Sequence, residues 1–235
     1  MERLLEQFDR LVIFDTETTG LRFQADEIIE FAAAVVEKKD GRAQVTEEYD
    51  NLVKLSPGVQ LPAEIQKLTG ITPQDLAQRG IEKNQLCADM TRLFSGDRTL
   101  LLAYNAHFDL CFLFSTLKRF GDPGILRGKA KIDLLTVYRD RRGYPHRLAS
   151  AIEAYNLQDR VQNSHRAIDD VLATVAVMQE MMAERPDILR YINLFGYNAK
   201  YGIGSKPIGS VTYLPQRYEP GLPIYERLEQ HMGRR

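Results

Sequence analysis

Leu11-Val12-Ile13-Phe14-Asp15-Thr16-Glu17-Thr18-Thr19-Gly20 is an apolar run that ends in two acids. Residues 10–15 read as a short strand, and in a strand residues i and i+2 point to the same face. Asp15 and Glu17 therefore project together from the end of a segment that is otherwise hydrophobic. Two carboxylates that close repel, and one is driven to keep its proton unless cations compensate. A pair of divalent metals is the usual compensation, so the stretch points to metal-dependent chemistry before any other residue is read. The alternative is a solvated strand end carrying two acids. Thr18-Thr19-Gly20-Leu21 weakens it, because the glycine lets the backbone turn closely beside the acids.

The flanking sequence supplies a scaffold. Residues 27–37 and 44–54 read as two further strands joined at Lys39-Asp40-Gly41-Arg42. Pro62 opens a short helix to about Leu68. Thr72-Pro73 opens another, with proline at the first-turn position where its missing donor costs little. Residues 82–95 carry Leu86, Met90, Leu93 and Phe94 at helical spacing. Leu100-Leu101-Leu102-Ala103 is a continuous apolar strand that suits burial on both faces. Asn105 is placed to cap a helix running to about Phe120. Lys131-Ile132-Asp133 reads as a strand whose last residue caps a helix at 134–142. Helices are expected at 147–155 and at 166–183, the latter striped with Ile168, Val171, Leu172, Val175, Met178 and Met182. Pro186 separates these from a last short helix through Phe195. The whole reads as an α/β fold, a mixed sheet covered by helices, with its carboxylates at one sheet edge.

Composition narrows the function classes. The 235 residues are 44% apolar and carry a formal net charge of -1, so a sizeable core is expected and no global polybasic signature exists. Cys87 and Cys111 are the two cysteines, both inside apolar helical patterns, which argues against a disulfide framework or a zinc site and for a reducing compartment. The start, Met1-Glu2-Arg3-Leu4-Leu5-Glu6, is too charged for a signal peptide. No apolar run reaches the length of a membrane span. A soluble cytoplasmic protein without a membrane partner is the expectation.

Two more groups of residues join the first pair. Asp109 follows Tyr104-Asn105-Ala106-His107-Phe108 and lies about one turn inside a helix. Alone, it reads as an acid that complements the helix macrodipole. His165-Arg166-Ala167-Ile168-Asp169-Asp170 opens the long striped helix with a histidine and two acids. At about 100° per residue Asp169 and Asp170 flank opposite sides of the stripe, and periodicity leaves open which one faces the site.

Asp15-x-Glu17, Asn105-x-x-x-Asp109 and His165-x-x-x-x-Asp170, in this order, resemble the DEDDh group of 3′–5′ exonucleases. That group has a ribonuclease-H-like fold and includes the proofreading (epsilon) subunit of bacterial DNA polymerase III. The resemblance spans roughly residues 10–185. It implies a five-stranded mixed sheet flanked by helices, an exonuclease domain at 8–196 and a C-terminal extended tail at 197–235. It selects Asp170, since the last acid of the pattern lies five residues after the histidine. It further implies two divalent cations, Mg²⁺ or Mn²⁺, held by Asp15, Glu17, Asp109 and Asp170. Asp15 would bridge both, Glu17 and Asp170 would complete one, and Asp109 would support the other. His165 would be the general base for the attacking water, and imidazoles suit that task. Thr18, Gly20 and Leu21 would contact the 3′-terminal nucleotide, with Ile71 as an apolar wedge and Asn105 and Phe108 along the strand path. For Ile71 the alternative is an ordinary helix-loop-helix turn; for Asn105 and Phe108 it is capping and core packing. Tyr104 departs from the pattern, which often has histidine there.

The substrate implied is a nucleic-acid 3′ end, with single-stranded DNA favoured over RNA. Oligoribonucleases of the group usually carry methionine where this chain has Thr18. The competing readings are an exoribonuclease of the ribonuclease T or oligoribonuclease kind, and a non-catalytic nucleic-acid-binding or polymerase-docking module. Residues 118–147 hold nine Lys/Arg against three Asp, with Tyr138 and Tyr144 interleaved. They read as a phosphate track, or as a solvated helix face. His107, His146 and His231 read as structural or surface residues. The tail, with five of the eleven tyrosines, either docks a partner such as a polymerase subunit or packs back on the domain.

Overall fold

Alternation along β1 (Arg10–Thr18) builds the two faces of the protein. Leu11 and Ile13 enter one apolar cluster with Ala32, Ala34, Leu100 and Leu102. Val12 and Phe14 enter a second with Phe31, Ala33, Val35 and Leu101 on the opposite face. The structure is a computed structural model that describes residues 1–204 and 208–232, with side chains as far as Glu229. His231 thus lies outside the described side chains.

After α1 (Leu4–Gln7) and β1 come β2 (Ile28–Lys39), β3 (Arg42–Leu52), α2 (Ala63–Thr69), α3 (Pro73–Arg79) and α4 (Lys83–Leu93). There follow β4 (Thr99–Ala103), α5 (Ala106–Phe120), β5 (Ala130–Asp133), α6 (Leu134–Arg141), α7 (Leu148–Ala154) and α8 (Ala167–Glu184). The chain ends with β6 (Leu194–Tyr197), β7 (Thr212–Pro215) and α9 (Ile224–Met232). The main sheet has five strands in the order β3-β2-β1-β4-β5. β1 pairs antiparallel with β2 and parallel with β4, so the sheet is mixed. Residues of α6, α7 and α8 such as Val137, Ile152, Val171 and Met178 cover the Leu11 face. Residues of α4 and α5 such as Leu86, Met90, Leu110 and Leu113 cover the Phe14 face. Each fully buried Leu, Ile or Phe here contributes about 2 kcal/mol, and all five residues of β4 are buried, as its unbroken apolar run requires.

Three local expectations change. β1 does not stop with the apolar run but continues to Thr18, because its backbone stays paired through Glu17 opposite Glu30 and Thr18 opposite Ile28. Backbone pairing, not side-chain hydropathy, ends a strand. Asn105 stands before α5 at φ +69° and makes no side-chain cap. The Ala106 amide donates to Asp133 Oδ1 at 3.1 Å instead, and the same carboxylate caps α6 through the Leu135 and Thr136 amides. Phe195 lies in β6, not in a helix, because Leu194–Tyr197 finds a parallel partner in Thr212–Pro215. The segment after Gly196 packs against the domain in its described part. Ile224 is fully buried and Tyr225 nearly so, and Tyr213 Oη meets His107 Nδ1 at 2.8 Å.

Candidate active site

The alternation that sorts the core also sorts the acids. Asp15 and Glu17 continue the Leu11–Ile13 row and face α8, whereas Thr16 continues the Val12–Phe14 row and faces α5. Thr16 there takes hold of Asp109, since its amide and its hydroxyl donate to Asp109 Oδ1 at 3.0 and 2.7 Å. Asp109 is 2% exposed and enters from the first turn of α5. A strand residue between the two acids thus aims a third carboxylate at them. All of this lies where the parallel strands β1 and β4 end, the usual place for a site in an α/β sheet.

The N-terminus of α8 brings the rest. Ligand atoms of Glu17, His165 and Asp170 all lie within 4.8 Å of one another. Asp170 is nearly buried and accepts from Asn163 Nδ2 at 2.7 Å. Asp169 points elsewhere, bonded by the Ser164 hydroxyl, so the geometry distinguishes the two neighbours that periodicity could not. His165 is exposed and sits at φ +58°, a left-handed backbone sparsely used by non-glycine residues.

What holds this turn in place escaped the sequence reading. Glu30, wholly buried on β2, accepts from Arg166 Nε at 2.9 Å and from the Ala167 amide at 2.9 Å, and also from Arg166 Nη2. It serves the free amide at the start of α8 and ties Arg166 to the sheet between His165 and Asp170. The available signal was a single acid inside the apolar run Ile28-Ile29-Glu30-Phe31-Ala32-Ala33. Thr16, flanked by the two acids, was the other missed signal.

The cluster holds more negative charge than it can stabilise alone. Burial first, and then Asp109, Asp170, Glu17 and Glu30, hold the Asp15 carboxyl well above the usual range. Burial with Asp170 and Glu30 pushes Glu17 up to about 8, against a smaller opposing pull from Arg166. Burial raises Asp109, in opposition to its Thr16 bonds. Burial lifts Asp170 to about 6, although Asn163 and His165 oppose this. Arg166, the cation that acts on Glu17, is already bound by Glu30. Four carboxylates and an imidazole are a donor set that fits divalent metal, and oxygen-rich ligation without cysteine suits hard ions.

The remaining expected contacts divide. Thr18 is buried and its hydroxyl donates to the Gly20 carbonyl at 2.6 Å. A Cβ on Gly20 would lie 2.6 Å from Asp26 Oδ2, so a side chain there would displace the carboxylate that accepts from the Arg22 amide. Leu21 projects from it, 83% exposed. Ile71, read as a wedge, is instead 3% exposed and packs with Ile29, Leu52, Leu61 and Leu76. The turn around it is an ordinary helix-loop-helix one, made by left-handed Gly70 before it and the reciprocal Thr72–Asp75 cap after it. Phe108 packs on Phe112 with ring centroids 4.9 Å apart, and Asn105 is exposed and lines the same cleft as His165. The basic stretch 118–147 does not form one surface. Lys131 is fully buried, with its ammonium on the Leu126 and Lys129 carbonyls, and Arg141 is buried against Asp187 and Glu184. His146 bonds the Arg142 carbonyl at 3.0 Å.

Residues 12–178 match the family model RNase_T, described as "Exonuclease". The chain belongs to this exonuclease family. The DEDDh exonuclease pattern is the one its acids and histidine carry, on the fold that the resemblance implied. DNA polymerase III PolC-type of Bacillus subtilis (strain 168) is 33% identical over 187 residues, 77% of this chain and 12% of that protein. The PolC-type polymerase of Caldanaerobacter subterraneus is 26% identical over 223 residues, 92% of this chain and 15% of that protein. The chain therefore spans a small part of these curated relatives. Among solved structures, E. coli Exonuclease I in complex with a dT13 oligonucleotide has a TM-score of 0.68 at 24% identity, covering 78% of this chain and 43% of that one. Exonuclease I from Methylocaldum szegediense has a TM-score of 0.67 at 25% identity, covering 77% and 42%. Among the described residues no helix is long and apolar enough to cross a membrane.

Proposed function

We propose that this exonuclease domain removes nucleotides from DNA 3′ ends by hydrolysis, in proofreading, repair or single-strand trimming. The observation that carries the reading is the convergence of Asp15, Glu17, Asp109, Asp170 and His165 at one sheet edge. In this reading Asp15, Glu17 and Asp170 would hold one divalent cation, Mg²⁺ or Mn²⁺, and Asp15 with Asp109 a second. Two such ions, when bound, clamp the attacking and leaving oxygens of the phosphodiester and neutralise developing charge. The protein does the rest. Thr16 fixes one oxygen of Asp109 and leaves the other for the site. Glu30 and Arg166 fix the turn that presents His165. From its exposed position His165 takes the proton of the attacking water, a step for which a positioned base supplies about 10²–10⁴-fold. Leu21 and the backbone at Thr18–Gly20 receive the terminal nucleotide.

DNA is favoured by Thr18 and by the relatives, since the PolC-type proteins are DNA polymerases and the Exonuclease I structure holds dT13. A polymerase partner is supported by the same likeness. The test is digestion of 5′-labelled single-stranded DNA and RNA of one sequence with Mg²⁺ or Mn²⁺, with Asp15→Ala as control. Stepwise loss of DNA from the 3′ end is expected. Faster loss of RNA overturns the substrate, and activity that survives Asp15→Ala overturns the mechanism. Intact DNA under all conditions favours a binding module.

A further inference from the structure

Beside the acids a cleft of about 810 Å³ opens between the domain and the segment that follows Gly196. It meets the site at Asn105, His165 and Asp170. Its lining comes from two distant parts of the chain. Arg139, Tyr144 and Arg147 come from α6 and the turn before α7, and Arg217 and Tyr218 follow β7. Asp170, at the site itself, is the one acid of this lining.

We infer that this cleft binds the single-stranded nucleic acid on the 5′ side of the scissile phosphate, with the segment after β7 as one of its walls. The inference rests on the exonuclease reading above and adds to it a substrate path and a role for that segment. The first argument is charge left uncommitted. Among the described residues neither Arg139 nor Arg147 forms an ion pair, while adjacent Arg141 and Arg142 are bound to Asp187 and Glu184. Arg217 bonds Glu219, two residues away, and its side chain is 83% exposed. The guanidinium groups of Arg139 and Arg147 are free to meet phosphates, and Arg217 can trade its solvent-exposed pairing with Glu219 for one.

Aromatic exposure is the second argument. Tyr144 is 88% exposed and Tyr218 41%. Aromatic faces left in water between arginines are the arrangement by which single strands are held, bases stacked and backbone neutralised. The third argument is direction. Thr18, Gly20 and Leu21, which receive the terminal nucleotide, contribute nothing to the cleft. With the 3′ nucleotide on that side of the acids, the strand leaves past His165 into the cleft.

The wall is also fixed in advance. Gln216, adjacent to Arg217, is buried and donates to the Thr136 carbonyl and to Asp140 Oδ1, each at 2.8 Å. Preorganisation of this kind lowers the ordering cost of binding.

The test compares the full chain with its Arg147→Ala/Arg217→Ala variant on two substrates. One is the p-nitrophenyl ester of thymidine 5′-phosphate, which has a terminal nucleotide and no upstream strand. The other is a set of 5′-labelled oligothymidylates of increasing length. The expected result is a rise in KM of roughly tenfold for the longer strands, with a salt slope shallower by about 1.4, at about 0.7 for each arginine–phosphate pair removed. Ester turnover and melting temperature stay the same. Tyr144→Ala, which removes no charge, raises KM for the strands and leaves the slope as it was. If the ester is cleaved and the double variant treats long strands like the wild type, the cleft inference is overturned and the exonuclease reading stands. If it weakens ester and strand alike, the inference is overturned as well. If the wild type cleaves neither, the exonuclease reading goes, and the cleft with it.

Discussion

Replacing Glu17 by Gln should make the metal-free protein more stable, and only at high pH. In the fold Glu17 keeps its proton up to about 8, against 4.5 ordinarily. The unfolded chain releases that proton first, so between these two values the folded state binds more protons and stability falls as pH rises. The penalty is absent below the ordinary value and complete above the raised one. At about 1.4 kcal/mol per pH unit, Glu17 alone would cost about 4 kcal/mol at pH 8 and under about 1 kcal/mol at pH 5. The neighbouring acids share protons with it, so about 2 kcal/mol is the expected gain at pH 8, or about 4–8 °C in Tm for a chain of this size. Gln keeps the size and loses the charge, and among the described residues no hydrogen bond of Glu17 is sacrificed. The assay is thermal unfolding of both proteins in EDTA at pH 5 and pH 8, repeated with Mn²⁺. With Mn²⁺ the order should reverse, since bound metal stabilises the wild type by mass action. An equal gain at both pH values would mean that packing and not charge governs the change, and the reasoning above would be refuted.

Asp15→Ala should abolish metal-dependent nuclease activity and raise the Tm of the metal-free protein, by the same relief of repulsion; activity assays and calorimetry in EDTA check both halves. Glu30→Gln places an amide where Arg166 and the Ala167 amide both donate, so kcat should fall roughly 10²-fold through misplacement of His165 and Asp170. Its stability loss should be about 2 kcal/mol, because partly exposed Arg166 can turn to water. Ile224→Ala, a fully buried site in the segment after β7, should cost about 3 kcal/mol in urea unfolding; a cost near zero would mean that this segment does not pack as described. Asp133→Ala removes bonds to the Ala106, Leu135 and Thr136 amides and should lose about 2–3 kcal/mol by the same measurement.

Features set by neighbours in sequence were legible, and those set by packing were not. The i,i+2 spacing of Asp15 and Glu17 fixed their common face without any knowledge of the partner strands. Thr72-Pro73 and Asp133 announced their caps because a cap is a matter of three residues. The Thr16–Asp109 bond needs α5 to lie on the face opposite α8, which only the finished sheet determines. Glu30 meets Arg166 across 136 residues. Lys131 and Arg141 looked like surface charge in the basic stretch, yet Lys131 turns its ammonium inward onto nearby backbone carbonyls and Arg141 meets acids more than 40 residues on. Phe195 reads as helical in sequence for the same reason, since a strand of four residues exists only when its partner arrives.

The strict alternation of β1 has a bearing on how this domain can change over generations. A one-residue insertion or deletion between Leu11 and Glu17 would exchange the two rows. It would turn Asp15 and Glu17 toward α5, and Val12 and Phe14 toward α8, and so ruin the core and the chemistry in one event. The strand can accept substitutions but no change of length. The loop that follows is different. Its base is stapled by Thr19 and Glu27, whose backbone and side chain bond reciprocally. Residues added at its tip around Leu21 would alter what the protein presents to a chain end and leave the carboxylates where they are. Length variation among descendants of this chain should therefore gather in residues 21–25 and spare 10–18.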